Sequence, residues 1–155
     1  MSNGKSKTSL YVIVAVIVIV IIVVGAVILF MGQPAANGTP MTLYAGEVSS
    51  AAYGFGNSAS TIQSNPGPTL TLKMGTAYTM TVMNVGTMPH AWEITSQKSS
   101  SSALFGAQID TTSYIQPGSS GKVTFTPNQA GNFYYVCPVN GHVALGMWGN
   151  VVVNP

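Results

Sequence analysis

Four side chains of this sequence are of types that together bind a redox-active metal. Cys137 is the only cysteine of the 155-residue chain, and His142 and Met147 follow it at intervals of five residues. His90 is the only other histidine. Two imidazoles, a thiolate and a thioether suit a copper ion that cycles between Cu(I) and Cu(II), with two His and one Cys in a trigonal plane and a weak axial Met. The pattern predicts one type 1 copper held by His90, Cys137, His142 and Met147.

Taken one at a time, these residues have more ordinary explanations. A single cysteine is most often a buried, unreactive thiol, and methionines mostly fill gaps in a core. Met147 is one of eight methionines in the chain. Only the combination, at this spacing and at the predicted ends of strands, favours a metal site.

Other uses of the cysteine have requirements that the sequence does not meet. A binuclear copper centre in an oxidase subunit needs two cysteines, and the chain has one. A Cys137 nucleophile with His142 as its base lacks an evident orienting acid, because Asp110 is the only aspartate. We therefore expect no enzymatic activity. A copper carrier or storage domain without a redox role, and a surface adhesion domain that binds no metal, stay open as alternatives.

The elements that position these residues are predicted to be short β-strands. From residue 41 onward, runs of alternating apolar and polar residues are separated by Gly, Pro, Asn and Ser, and no helical periodicity is sustained. This pattern predicts an all-β Greek-key sandwich. The polar stretch 96–102 and the glycine-rich stretch 54–57 are expected to be excursions from it. The candidate strands are 42–48, 53–55, 69–73, 77–85, 91–95, 122–126, 132–137 and 148–153.

The end of the sequence resembles a known family. It reads Cys-Pro-Val-Asn-Gly-His-Val-Ala-Leu-Gly-Met-Trp from Cys137, after a Gly-x-Phe-x-Tyr-x approach that begins at Gly131. Over residues 131–150 closely, and over 41–155 loosely, it resembles the cupredoxins, and among them sulfocyanin and rusticyanin. The resemblance implies a single-domain blue copper protein of an acidophile that transfers single electrons through the surface near His142. It also implies redox partners in a respiratory chain, such as a cytochrome or a terminal oxidase.

Two residues depart from the cupredoxin pattern. Pro138 follows the cysteine directly and has no backbone N–H to donate. Ala91 follows the first histidine, where relatives often carry a polar side chain. Both departures are expected to remove hydrogen bonds around the cysteine sulfur and so to affect the reduction potential.

The N-terminal part has the composition of a membrane anchor. Residues 10–31 contain no charge, amide or proline, and a helix of that length covers roughly 33 Å, enough for the hydrocarbon core. Lys5 and Lys7 precede the span, so the positive-inside rule predicts a cytoplasmic tail over 1–9. The expected organisation continues with a linker over 32–40 and an extracellular copper domain over 41–155. This places the protein in the cell membrane as a single-pass protein.

The charge content excludes one class of function and suggests an environment. Only 5% of the residues are charged and none is arginine, which excludes a nucleic-acid binder. The domain over 41–155 has three lysines against three acidic residues. Because so few carboxylates titrate, stability should depend little on them, and we expect an acidic exterior. The partners expected are the membrane and redox proteins, with no small-molecule substrate.

Overall fold

The computed structural model describes residues 38–155, which form nine β-strands. Within this range no helix is long and apolar enough to cross a membrane. The predicted tail, the membrane span and residues 32–37 of the linker lie outside the described residues. The strands are β1 (Thr39–Ser49), β2 (Ala52–Gly56), β3 (Gly67–Lys73), β4 (Tyr78–Asn84), β5 (Trp92–Thr95), β6 (Gln108–Ile109), β7 (Ser120–Phe125), β8 (Gly131–Val136) and β9 (Trp148–Asn154).

The strands form two sheets that enclose one core. One sheet has the order β2-β1-β4-β7 and the other the order β3-β9-β8-β5-β6. The pairs β1–β4 and β3–β9 are parallel, while the other neighbours are antiparallel. Parallel neighbours require crossover connections, so the arrangement is not a simple meander. The predicted all-β sandwich is confirmed.

The alternation read from the sequence corresponds to the core. On β4, Tyr78, Met80 and Val82 are buried, whereas the residues between them are partly exposed. Tyr135 of β8 is fully buried, and its hydroxyl donates to the carbonyl of Pro68 at 2.6 Å. Gly149 of β9 lies against the Tyr135 ring, and a side chain there would overlap it. Glycine at position 149 of β9 therefore leaves the space in the core that the Tyr135 ring of β8 occupies.

Two parts of the strand assignment differ from the prediction. The candidate strand over 53–55 is confirmed as part of β2, but the expectation that the glycine-rich stretch 54–57 leaves the sandwich was wrong, because residues 54–56 belong to β2. Gly54 passes so close to the backbone of Gln63 that no side chain fits, and Phe55 exchanges backbone hydrogen bonds with Gln63 at 3.0 and 3.1 Å. The glycines therefore permit a close strand contact rather than a loop. Strand β6 was not predicted because two residues show no alternation.

The first strand begins slightly before the boundary expected for the domain. β1 starts at Thr39, two residues before the expected start at Met41, and the Thr39 N–H donates to the carbonyl of Ala77 at 2.8 Å. Parallel pairing with β4 extends the strand into the Thr39-Pro40 end of the expected linker. The polar stretch 96–102 lies outside the strands, as predicted.

Candidate metal centre

His90 reaches the site from the connection between β4 and β5. Its backbone forms an isolated bridge with Ile115: the His90 N–H donates to the Ile115 carbonyl at 3.1 Å, and the Ile115 N–H donates back at 2.7 Å. β5 begins two residues later and pairs antiparallel with β8, which ends one residue before Cys137. The antiparallel pairing therefore brings the start of one strand, with His90, beside the end of the other, with Cys137.

The turn between β8 and β9 holds the remaining candidates. The Cys137 N–H donates to the Met147 carbonyl at 3.1 Å, and the Met147 N–H donates to the His142 carbonyl at 2.9 Å. The His142 N–H donates to the carbonyl of Val139 at 3.0 Å. Each of the three candidate residues thus has its backbone tied within one turn, which holds their side chains at the same end of the sandwich.

The side chains of His90, Cys137 and His142 converge. The two imidazole Nδ1 atoms are 3.3 Å apart, and the Cys137 sulfur is 3.4 Å from Nδ1 of His142. One ligand atom from each residue lies within 4.8 Å of the others, and all three residues are buried. Two nitrogens and one sulfur, with no carboxylate among them, are the donors that copper selects. The residues present therefore fit one type 1 copper.

Met147 is fully buried in the same turn. Its backbone position is fixed by the hydrogen bonds to Cys137 and His142 described above. That its thioether is the axial ligand stays a prediction, which the proposal below takes up.

Burial controls the protonation of the candidate ligands. Burial, together with the neighbouring His142, lowers the pKa of His90 to about 4. Burial also lowers the pKa of His142. Both imidazoles are therefore neutral at neutral pH, which is the form that binds a metal.

The thiol of Cys137 is in the opposite situation. Burial raises its pKa to about 11, against which the backbone N–H groups of Ala91 and Val139 act by favouring the thiolate. The Ala91 N–H is 3.4 Å from the sulfur. The alanine at this position thus still supplies a backbone donor, although it has no polar side chain. A metal ion is the additional positive charge that would make the thiolate the stable form.

An aromatic residue that the sequence did not indicate covers the site. The Tyr53 ring of β2 lies 4.3 Å from the His142 ring, centre to centre, at an angle of 35°, and 5.9 Å from the His90 ring. The His142 side chain itself is only 5% exposed. Tyr53 restricts access to the imidazole, whereas the exposed residues are the neighbouring Ala144 and Leu145.

The two ring nitrogens of His90 have different surroundings. His90 Nε2 has no hydrogen-bond partner within residues 38–155. A buried imidazole nitrogen without a partner is costly, whereas the other nitrogen, Nδ1, lies 3.3 Å from Nδ1 of His142. This asymmetry agrees with Nδ1 as the metal-binding atom.

Solved structures of copper proteins share the fold. A multicopper oxidase, mgLAC, superposes with a TM-score of 0.58 at 23% identity over 76% of this chain and 39% of the oxidase chain. The reduced auracyanin of the photosynthetic bacterium Roseiflexus castenholzii gives 0.53 at 19% identity, over 77% of this chain and 100% of the auracyanin. Auracyanin B gives 0.52 at 21% identity, over 79% and 94% of the two chains. This chain thus spans well under half of the oxidase but nearly the whole of each auracyanin.

The sequence comparisons address the family directly. No curated protein is similar enough to this sequence to count as a match. Residues 60–154 match the family described as copper binding proteins, plastocyanin/azurin family, and this range includes all four predicted ligands. The match confirms the cupredoxin membership predicted from the end of the sequence. The chain belongs to the plastocyanin/azurin family of copper-binding proteins.

Proposed function

We propose that this chain is a membrane-anchored type 1 blue copper protein that carries single electrons between respiratory-chain partners on the outer face of the membrane. The convergence of His90 Nδ1, His142 Nδ1 and Cys137 Sγ in a buried space is the observation that carries the proposal. These atoms would be the three strong ligands and the Met147 thioether the weak axial one. The bound copper supplies a change of one electron between Cu(I) and Cu(II).

The contribution of the protein is to hold the ligands in place and to exclude water. The backbone hydrogen bonds of the turn and the bridge between His90 and Ile115 fix the ligand-bearing segments. Because these segments are fixed, a copper ion held by them would rearrange little when it gains or loses an electron. Tyr53 packs against the His142 ring and limits the access of solvent. These features suit an electron carrier.

A carrier agrees better with this chain than an enzyme does. A binuclear centre needs a second cysteine, which the sequence lacks. The small auracyanins are matched along nearly their whole length, whereas the multicopper oxidase is matched over 39% of its chain. These matches favour a single electron-transfer domain.

Electron exchange is proposed to take place through the surface beside His142. Ala144 and Leu145 are exposed there, and Leu145 is 39% exposed. The three lysines of residues 41–155 balance its three acidic residues. A domain without net charge and with apolar residues exposed beside His142 favours weak and brief docking with a cytochrome or a terminal oxidase.

The location of the protein is proposed from its N-terminal sequence. Residues 10–31 would form the anchor, with Lys5 and Lys7 on the cytoplasmic side and the copper domain outside the cell. The low number of carboxylates supports an acidic exterior. Membrane fractionation followed by protease digestion of intact cells tests this arrangement. Recovery in the soluble fraction, or protection of the copper domain from the protease, would contradict it.

Titration of the copper-free, full-length chain with Cu(II) in detergent tests the central part of the proposal. We expect one equivalent to produce an intense thiolate-to-copper absorption band and a reversible one-electron couple in voltammetry. Cys137→Ser should abolish the band, because the chain has no other thiol. A copper carrier or storage protein would bind copper without a reversible couple, and an adhesion domain would bind no stoichiometric copper; either result would refute the proposal.

A further inference from the structure

The connection that carries His90 has no regular structure of its own. It runs from the end of β4 through residues 85–89, and Val85 and Met88 are 43% and 44% exposed. Pro89 precedes His90 directly and has no N–H to donate. An exposed connection of this kind is mobile unless polar contacts fix it. The position of His90 therefore depends on what holds these residues.

A carboxylate from another strand accepts the backbone hydrogen bonds of this connection. Oε1 of Glu47, on β1, accepts from the Met88 N–H at 2.9 Å and from the Thr87 N–H at 3.1 Å, and Oε2 is 3.0 Å from the Thr87 nitrogen. The Thr87 hydroxyl adds a contact of 3.3 Å to Oε1. Hydrogen bonds to an ionised carboxylate are about twice as strong as those between neutral groups. Glu47 is thus a strong acceptor just before the ligand.

The side-chain amide of Asn84 also holds this connection. Asn84 is buried, and its Nδ2 donates to the carbonyls of Met88 and Ile115, both at 2.8 Å, while its Oδ1 accepts from the Gly86 N–H at 2.9 Å. Ile115 is the residue whose backbone pairs with His90. At Gly86 a side chain would collide with the Glu47 carboxylate, so glycine is required for its approach. Carboxylate and amide together hold both sides of the connection.

We infer that Glu47 is a positioning residue for the copper ligand His90. Its carboxylate fixes residues 87 and 88, two residues before the imidazole, and so keeps His90 Nδ1 beside His142 before the metal binds. It also places a negative charge near the two histidines, which favours Cu(II) over Cu(I). The inference rests on the proposed function in one respect, since it takes His90 to be a ligand.

The ionisation of Glu47 agrees with this role. Partial burial acts to raise the pKa of its carboxyl group, but the N–H donors of Thr87 and Met88 outweigh this effect and lower the pKa overall. The carboxylate is therefore charged at neutral pH. Glu93, by contrast, is 4% exposed and has its pKa raised by burial. Glu47 is thus the acidic residue whose surroundings stabilise its charge.

Three variants separate the contacts of Glu47 from its charge. Glu47→Ala removes both the acceptor and the charge. Glu47→Gln keeps an oxygen that can accept from Thr87 and Met88 but has no charge. Asp110→Asn is the matched control: it removes one carboxylate from the turn after β6, where the Tyr114 N–H donates to the Asp110 carbonyl.

Hydrogen exchange of the copper-free, full-length chain in detergent gives a readout that does not depend on copper. Exchange of the Thr87 and Met88 amides, which donate to Glu47, should be at least about tenfold faster in Glu47→Ala, which corresponds to a loss of about 1.4 kcal/mol of local stability. Glu47→Gln should show a smaller increase, and Asp110→Asn none. Equal exchange in all variants would overturn the inference. If Glu47→Ala does not fold, the comparison of Glu47→Gln with Asp110→Asn decides in the same way.

Copper provides the second readout. With copper bound, Glu47→Ala should shift the thiolate-to-copper band and release Cu(II) faster. Glu47→Gln should keep the band but raise the reduction potential, by about 59 mV for each tenfold change in the ratio of Cu(II) to Cu(I) affinity. An equal rise in Asp110→Asn would overturn the role of the Glu47 charge. A wild-type chain that binds no copper would refute the proposed function, whereas faster exchange in Glu47→Ala would still show that Glu47 positions the connection.

Discussion

Acidification tests the histidine pair without a change of sequence, because the copper-free protein keeps both imidazoles neutral by burying them. The pKa of His90 falls from 6.5 to about 4 on folding, first through burial and then through the neighbouring His142. Between these two pH values the unfolded chain binds a proton that the folded protein does not. The copper-free protein should therefore lose stability as the pH falls from about 6.5 to about 4.

The size of the effect follows from the same values. At about 1.4 kcal/mol per pH unit, the lowering of the His90 pKa to about 4 is worth roughly 3 kcal/mol. His142 changes stability in the same direction, because its pKa is lowered too. Burial raises the pKa of Glu93, so acidification favours its folded, protonated form and offsets part of this loss. The net expectation is that the copper-free protein loses a few kcal/mol of its free energy of unfolding as the pH falls from about 6.5 to about 4.

Guanidinium unfolding of the full-length chain in detergent, followed by tryptophan fluorescence, measures this loss. Trp92 is fully buried in the core and reports on its exposure. Copper-free protein should be less stable at about pH 4 than at about pH 7. Copper-loaded protein should be more stable than copper-free protein at about pH 7, and this gain should shrink towards about pH 4, because protons compete with the metal for the ligands. His90→Gln, which cannot be protonated, should flatten the pH dependence of the copper-free form.

Two results would refute this reasoning. One is a copper-free protein whose free energy of unfolding does not change between about pH 6.5 and about pH 4. The other is a His90→Gln variant with the same pH dependence as the wild type. A collapse of the copper-loaded protein near the pKa of ordinary carboxylates would count separately against an acidic exterior, since Glu47 is the acidic residue whose pKa is lowered on folding.

Three further outcomes are expected. Met147→Leu should retain copper but raise the reduction potential in voltammetry, because the axial thioether is lost. The control variant Met80→Leu, at an equally buried position on β4, should leave the potential unchanged. A lower potential or loss of copper in Met147→Leu would contradict the axial role. Gly149→Ala should lower the free energy of unfolding by about 1–3 kcal/mol in a denaturant titration, because the new methyl group overlaps Tyr135. An unchanged midpoint of the unfolding transition would show that the core adapts. The rate of electron transfer to a redox partner in stopped-flow experiments should change little with added salt, because the lysines and acidic residues of the domain balance; a steep fall would show that charges guide docking.

Most of the strands could be predicted because each side of a sandwich strand faces a different environment. The alternation on β4 and the buried ring of Tyr135 on β8 follow from this rule. The rule gives no signal for β6, which has two residues. The glycine content of 54–57, and not the alternation rule, misled there, because Gly54 meets the backbone of Gln63 within β2 instead of forming a loop. Whether a glycine marks a turn or a close contact depends on what packs against it.

The candidate site divides in a similar way. Cys137, His142 and Met147 lie within eleven residues, so their spacing could be recognised in the sequence. Tyr53 and Glu47, which lie opposite each other on β2 and β1, carried no such signal. A tyrosine that stacks on an imidazole and a glutamate that accepts from a backbone have no fixed distance in sequence from their partners. Only the pairing of strands brings them to the metal site.

Residue chemistry by itself predicted a copper site, because a thiolate, two imidazoles and a thioether are a donor set that suits copper. It also determined the β-structure, since alternation of apolar and polar residues belongs to the individual strand. The tertiary structure decided whether the donors meet: His90 and His142 are 52 residues apart in the chain, yet their Nδ1 atoms are separated by 3.3 Å. The physical reason is that the packing of the two sheets and the pairing of β5 with β8 set this distance, and no local pattern encodes it.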